Sequence, residues 1–250
     1  MAYNKSNAIK QNNVNKPMNL LKPKSSFFLI ILILFSLGSA VQAFAESAIQ
    51  CHCFTDRSYN SADRFASDEY VLASSFNSLL AKSFAIPKRQ IVMIKMNEGV
   101  AQDDLLIGLE IAKITGVDIR KFLRLHKENN TWEKIISGLS QQETIKKDPL
   151  LEAIKAGMPV EEAGIRIVDE IIGELYKIKS EEINKLRMSG LNEKEINLIF
   201  ILAHAREQNP EVLVEQYKKQ GRSWSEIAHN LGVEPDATGK LILAYPEIPE

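Results

Sequence analysis

Apolar residues recur at helical spacing through most of the chain. Across 68–84 and again across 103–116 the apolar positions fall three or four residues apart, which is typical of an amphipathic helix. The segment 88–96 is ambiguous, because its run Ile-Val-Met-Ile would also suit a strand, but Pro87 favours a helix start. We therefore predict helices in all three segments and an all-α fold.

In the second half of the chain, glycine and proline mark the helix ends. Gly157 and Gly190 each follow an apolar-periodic segment, and glycine there can adopt the left-handed backbone that ends a helix. Pro159 suits a first helical turn, where no N–H is needed. These signals predict helices over 150–156, 159–177 and 180–190.

Asn192 marks the best-specified helix start. Its side chain can accept from the first turn, and Glu195, three residues later, can reach back to the Asn192 backbone. We predict that this helix stops near Asn209-Pro210, because proline cannot continue it and asparagine tolerates the left-handed conformation.

Two segments, 111–139 and 204–232, share one pattern. Each has a helix end, a second helix, a polar loop and then a tryptophan that opens the spacing W-x-x-I-x-x-x-L, which places three large apolar groups on one helical face. The anchors are Trp132, Ile135, Leu139, Trp224, Ile227 and Leu231. The pattern predicts a duplicated helical unit; the alternative is a coincidence of helical packing.

One stretch differs from all others in composition. Residues 27–45, FFLIILILFSLGSAVQAFA, follow Lys22 and Lys24 and end on the small-x-small sequence Ala43-Phe44-Ala45. A positive segment, an apolar core and small residues in that order are typical of a secretory signal peptide. We predict that residues 1–45 form this signal and are cleaved after Ala45.

An uncleaved inner-membrane anchor at 27–45 is the alternative. The apolar core, 27–37, has 11 residues, and at about 1.5 Å each they cover about 17 Å of a hydrocarbon layer about 30 Å thick. Cleavage is therefore favoured, which predicts a periplasmic or secreted protein. Translation from Met18 instead of Met1 would leave this expectation unchanged.

The charge balance bears on possible partners. Residues 1–45 hold five lysines and no acidic residue, so the remaining chain carries 26 basic and 32 acidic side chains, a net charge of −6. Nucleic-acid binding without sequence preference needs clustered lysine and arginine. We expect no nucleic-acid partner, and contact with a membrane only through the signal peptide.

The chain has two cysteines, Cys51 and Cys53, which flank His52 just after the predicted cleavage site. In an oxidising compartment they are expected to bridge to each other or to another chain, although a ring closed between residues two apart is strained. Two other interpretations stay open. A redox-active dithiol is one, since His52 and Arg57 supply nearby cations. A metal site is the other, and it needs further ligands.

Residues 223–243, SWSEIAHNLGVEPDATGKLIL, resemble the helix-turn-helix of bacterial DNA-binding domains such as the promoter-reading region of sigma factors. The matching positions are Ile227, Ala228, Leu231, Gly232, Val233 and Leu241. The resemblance implies a second helix that enters the major groove with basic or amide side chains. Here that segment has Glu234 and Asp236 against Lys240, so DNA binding is the second alternative.

These patterns together predict an exported all-α protein with two related helical subdomains, 46–146 with the Cys-His-Cys segment and 147–250. The sequence has no Gly-rich phosphate loop, no G-x-S-x-G elbow and no H-E-x-x-H helix. We therefore expect a non-catalytic interaction or scaffold module without a cofactor, whose inter-helix grooves hold a peptide, another protein or a second copy. A thiol-redox or metal-binding function at Cys51, His52 and Cys53 is the first alternative.

Overall fold

The computed structural model describes residues 54–141 and 143–245, and within them the chain forms thirteen α-helices, one short 3-10 turn and no strand. The prediction of an all-α fold is confirmed. The helices are α1 (Asp68–Ser83), α2 (Lys88–Glu98), α3 (Gln102–Thr115), α4 (Ile119–Lys127), α5 (Trp132–Gly138), α6 (Glu143–Lys147), α7 (Pro149–Lys155), α8 (Val160–Tyr176), α9 (Ser180–Met188), α10 (Glu193–Ala205), α11 (Pro210–Lys218), α12 (Trp224–Asn230) and α13 (Thr238–Ala244), with the 3-10 turn Pro235–Ala237 before α13.

Side-chain caps fix where many of these helices begin. The Asn192 side chain accepts from the backbone N–H groups of Lys194 and Glu195, while the Glu195 carboxylate accepts from the Asn192 N–H at 2.9 Å. This is the capping box that the sequence predicts. Side-chain caps also begin α4, α5, α7, α11 and α12, through Asp118, Thr131, Asp148, Asn209 and Ser223.

The prediction for Asn209 is wrong. α10 ends at Ala205, and the left-handed residue after it is Glu207, with φ of 50°. Asn209 has φ of −73° and is instead the N-cap of α11, where its side chain accepts from the Glu211 N–H at 2.9 Å. The backbone angle of proline suits the first residue of a helix, so the residue before Pro210 is placed to be an N-cap. Asn209 therefore begins α11 instead of ending α10.

The long helices α3 and α10 lie at the centre of the packing. Leu105, Leu106, Ile107 and Leu109 of α3 are fully buried, which requires contacts on more than one face of the helix. α8 packs against α3, whereas α1 packs against α10, α12 and α13. The first long helix of each half thus contacts the central helix of the other half. The division into subdomains 46–146 and 147–250 stays a prediction.

Gly239 allows the close approach of α13 to α1. A Cβ atom at this position would lie 2.6 Å from both Lys88 Nζ and Ser78 Oγ, so a larger residue would have to displace these two side chains. None of the described helices is both long enough and apolar enough to span a bilayer.

Candidate functional site

The segment Cys51, His52 and Cys53, together with the predicted signal peptide, lies outside the described residues. Its redox and metal interpretations therefore stay predictions. Within residues 54–141 and 143–245, no group of three or more His, Cys, Asp or Glu side chains is placed to hold a metal ion.

The first tryptophan is held by polar and aromatic contacts that we call the Trp132 corner: Asp104, His126, Asn130 and Trp132. The Trp132 ring is 1% exposed, and its Nε1 donates to Asp104 Oδ1 at 2.7 Å. The His126 ring stacks on the indole with ring centroids 4.6 Å apart. His126 Nε2 lies 3.2 Å from the same Asp104 oxygen, and Nδ1 lies 2.9 Å from the Asn130 carbonyl oxygen.

The second tryptophan is held in the same way, by the Trp224 corner: Glu195, Tyr217, Ser223 and Trp224. The Trp224 Nε1 donates to Glu195 Oε1 at 3.1 Å, and the Tyr217 ring stacks on the indole at 4.2 Å between centroids. Burial, followed by the contact with Glu195, raises the pKa of the Tyr217 hydroxyl to about 12. Tyr217 is therefore neutral across the physiological pH range.

Asp68, at the start of α1, ties the Trp224 corner to the N-terminal part of the chain. Its Oδ2 accepts from the Trp224 N–H at 3.0 Å, and its Oδ1 accepts from the Ser225 N–H at 2.8 Å. Burial raises the pKa of this carboxyl, and the hydrogen bonds from Ser225 and Trp224 oppose that shift. The carboxylate thus satisfies the first turn of α12. Sequence spacing gives no signal for this contact, because the partners lie 156 and 157 residues apart.

The other predicted anchors differ in depth. Ile135 is 7% exposed and Ile227 is fully buried, so each belongs to the hydrophobic core. Leu139 and Leu231 are half-buried and lie where their helices end.

The segment that resembles a helix-turn-helix presents an acidic outer face. Thr238, Gly239 and Ile242 of α13 are buried, and α13 packs on α1. Glu234, Asp236 and Lys240 are exposed, and the Lys240 ammonium lies 3.7 Å from an Asp236 oxygen. This charge pattern gives a phosphate backbone little to bind.

A groove of about 380 Å³ opens where α8 and α10 end and α11 begins; we call it the C-terminal groove. Its apolar wall consists of Tyr176, Ile178, Phe200, Ala203 and Pro210. Its polar rim consists of His204, Glu207 and Gln208, which are exposed. The groove can therefore enclose an apolar group while hydrogen-bonding a polar backbone at its edge.

The back of the groove is fixed by hydrogen bonds between aromatic and polar side chains. The Tyr176 hydroxyl donates to Asn197 Oδ1 at 3.0 Å, and burial raises its pKa well above the ordinary value. The Tyr245 ring lies edge-on to Tyr176, with centroids 5.4 Å apart, and its hydroxyl lies 3.1 Å from His204 Nδ1. The wall and one rim residue are thus held in place before any ligand binds.

Two further ionisable groups, on Lys88 and Asp103, have shifted pKa values. Burial lowers the pKa of the Lys88 ammonium to about 8, and its Nζ donates to Ser74 Oγ at 2.9 Å beside Gly239. The pKa of Asp103 rises to about 6, first through burial and then through the charges of Glu193, Glu161 and Asp104. We assign no ligand to either group, because each is accounted for by helix packing.

Comparison of the chain with known protein families, with characterised proteins and with solved structures gives no match.

Proposed function

We propose that this protein is an exported, non-catalytic interaction module whose C-terminal groove receives an apolar or aromatic side chain of a peptide or protein partner. The observation that carries the proposal is the C-terminal groove itself, an apolar wall with a polar rim. At about 380 Å³ it falls in the lower part of the range of ligand sites, roughly 300–1,000 Å³. That volume suits one large side chain with part of the adjoining backbone.

The composition of the wall and the rim of the C-terminal groove indicates that its ligand is a peptide segment. Tyr176 and Phe200 line the wall but are only 6% and 4% exposed, so the half-buried Ile178 and Pro210 offer the accessible apolar surface. An apolar side chain placed there gains free energy by leaving water. His204 and Gln208 stand at the rim, where the backbone N–H and C=O groups of a bound segment need partners. Because Tyr176 is already hydrogen-bonded to Asn197, little ordering is required when the partner binds.

The duplication predicted from sequence supports the idea of a scaffold built from two related units. Residues about 92 positions apart play matching roles along both halves. Ala85 and Lys177 have φ of 51° and 56° after their helices. The matched pairs are Ala85 with Lys177, Asn77 with Asp169, Lys95 with Arg187, Asp104 with Glu195, and Trp132 with Trp224. Lys95 contacts Asn77 just as Arg187 contacts Asp169.

Short capped peptides test the groove directly. We would titrate the isotopically labelled protein, in the form that cells accumulate, with Gly-Ser peptides that carry a single Phe, Leu, Ala or Lys. We expect millimolar binding of the Phe and Leu peptides, with amide shifts centred on Ala203, His204 and Gln208. Shifts elsewhere, or equal shifts with the Lys peptide, would count against the proposal.

A matched pair of variants separates the groove from the rest of the surface. Gln208→Trp places an indole at the exposed rim, and its own backbone N–H can still bond to the Ala203 carbonyl. Gln220→Trp makes the same change at an exposed residue outside the groove. The first variant should abolish the Phe-peptide shifts, and the second should preserve them.

Export and the thiol alternative are tested on one sample. Mass spectrometry of the native protein should find Glu46 as its first residue in the periplasmic fraction; peptides spanning 42–48 from the cytosol would refute cleavage after Ala45.

Thiol titration with and without reductant, followed by metal analysis, addresses Cys51, His52 and Cys53. Two reactive thiols or one bound metal ion per chain would favour the redox or metal function over the interaction module.

A further inference from the structure

The C-terminal groove lies beside the point where the described residues end. Tyr245 follows α13, and its ring is edge-on to the groove residue Tyr176, with centroids 5.4 Å apart. Its hydroxyl lies 3.1 Å from Nδ1 of the rim residue His204. Residues 246–250, Pro-Glu-Ile-Pro-Glu, come next in the sequence and supply one large aliphatic side chain, Ile248. We propose that the segment 246–250 docks in the C-terminal groove of its own chain through Ile248, and so competes with the partner for that site.

The short separation along the chain keeps Ile248 close to the groove. Tyr245 has ψ of 130°, an extended angle that ends α13 and suits a residue before proline. Ile248 is three residues beyond Tyr245, and an extended chain covers about 10 Å over that length. Because the Tyr245 ring packs against the groove wall, this length is sufficient to bring Ile248 to the opening.

The accessible surface of the groove suits this segment. Ile178 and Pro210 are half-buried and apolar, and an aliphatic side chain placed against them leaves water. Pro246 and Pro249 have no N–H, so the segment brings fewer backbone donors that need partners at the rim. Proline also restricts its own backbone and that of the residue before it. Less conformational freedom is therefore lost when the segment docks.

The charges of the segment and of the groove surroundings are complementary. A glutamate stands on each side of Ile248 within the segment. Lys177 and Lys179, on either side of the wall residue Ile178, are exposed, and neither forms an ion pair within the part of the chain that the structure describes. The rim also carries Glu207, so the local balance is two cations to one acid. Exposed ion pairs add little free energy, and Ile248 therefore supplies most of the affinity.

Attachment to the same chain makes weak docking sufficient. A segment on a short linker acts as a ligand at an effective concentration of millimolar order. The inference rests on the proposed function of the groove, for which millimolar binding of apolar peptides is expected. The segment therefore fills the groove for a large part of the time and lowers the apparent affinity for a free peptide. Removing the Ile248 side chain should tighten binding of the Phe peptide about fivefold.

Nuclear magnetic resonance of the full chain with labelled methyl groups tests the docking. We would look for nuclear Overhauser contacts from the Ile248 methyls to Ala203 and Ile178, and titrate Ile248→Ser with the Phe peptide. The matched control is Met188→Ser, which removes an apolar side chain that is 89% exposed and lies outside the groove. We expect the methyl contacts in the unaltered chain, tighter peptide binding in Ile248→Ser and unchanged binding in Met188→Ser.

The results separate this inference from the proposed function. Equal peptide affinity in the unaltered and Ile248→Ser proteins, without methyl contacts to the groove, would overturn the docking of 246–250 and leave the groove as a peptide site. Absence of peptide binding to both proteins, again without methyl contacts, would overturn both proposals. Contacts that arise only between labelled and unlabelled chains in a mixed sample would place the segment in a second copy and overturn docking within one chain.

Discussion

The Trp132 and Trp224 corners have the same geometry and different chemistry. In each, a buried indole donates to a carboxylate on a central helix and stacks on a ring from the preceding helix. Asp104 is half-buried and shares its oxygen with an ionisable histidine, whereas Glu195 is buried and the stacked ring is a neutral tyrosine. The same packing of the indole therefore accommodates a half-buried set of polar partners around Trp132 and a buried set around Trp224.

The two corners also differ in the sequence separation of the residues that they bring together. Trp132 and Asp104 are 28 residues apart, and the helix that Trp132 begins is capped by its neighbour Thr131. The helix that Trp224 begins is additionally bound by Asp68, 156 residues earlier. The Trp224 corner therefore connects distant parts of the chain, whereas the contacts of the Trp132 corner lie within residues 104–132.

Replacing either tryptophan with alanine is expected to lower the stability of the protein more than any other change considered below. Trp132→Ala and Trp224→Ala should both destabilise the protein by roughly 3–5 kcal/mol because each removes a fully buried ring. The Trp224 variant should lie at the upper end, since Glu195 Oε1 then loses its partner in a buried place. Urea unfolding followed by circular dichroism measures both. A greater loss in Trp132→Ala would reverse the ranking of the two corners.

Asp68→Asn tests the long-range contact alone. The amide keeps the size of the carboxyl but turns one acceptor into a donor that faces a backbone N–H, so we expect a loss of about 2 kcal/mol. The matched control is Asp118→Asn, an exposed N-cap of α4 where asparagine caps as well as aspartate. It should change the unfolding free energy by only a few tenths of a kcal/mol. A similar loss in both variants would mean that capping, and not the distant contact, explains the effect.

These contacts show which parts of the structure the sequence could predict. The start of α10 is predictable because Asn192 and Glu195 bond to backbone groups within three residues of themselves. The anchors Trp132 and Trp224 are visible for the same reason, as the apolar spacing after them is local. The role of Asn209 was predicted wrongly because asparagine suits both the end and the start of a helix. The neighbouring Pro210 is the residue that favours a helix start here.

The remaining parts depend on tertiary packing, which leaves no local pattern. Asp68 reads as an ordinary first-turn acid, yet its partners are on α12. His126 carries no motif, because Asp104 reaches it only once α3 and α4 have packed. The C-terminal groove is invisible for a related reason: its wall combines the ends of two helices and the start of a third.

The N-caps offer a smaller test of the same contrast. Ser223 is fully buried; its hydroxyl accepts from the Glu226 N–H at 3.0 Å and also donates to the Arg64 carbonyl. Thr131 is exposed and accepts from the Lys134 N–H at 3.4 Å. We expect Ser223→Ala to cost about 2 kcal/mol and Thr131→Ala about 0.5–1 kcal/mol. Thermal unfolding ranks the two, and equal losses would show that the buried hydroxyl adds nothing to the cap.

Asp103 should give the smallest effect, and only as a pH dependence. Its pKa of about 6 lies above the ordinary value near 3.8 because burial and three acidic neighbours disfavour the charge. The folded state therefore binds the proton more tightly than the unfolded chain, and stability falls as the pH rises from 4 to 7 through this group. Solvent screening keeps the change below about 1 kcal/mol. Asp103→Asn should flatten the fall.

The comparison is made between the unaltered protein and the Asp103→Asn variant. Urea midpoints at pH 5 and pH 8 then isolate the carboxyl. In α10 the matching position holds Lys194, so the second half has no carboxyl in the place of Asp103. An unchanged slope in the Asp103→Asn protein would assign the pH dependence to other carboxyls and remove that contrast.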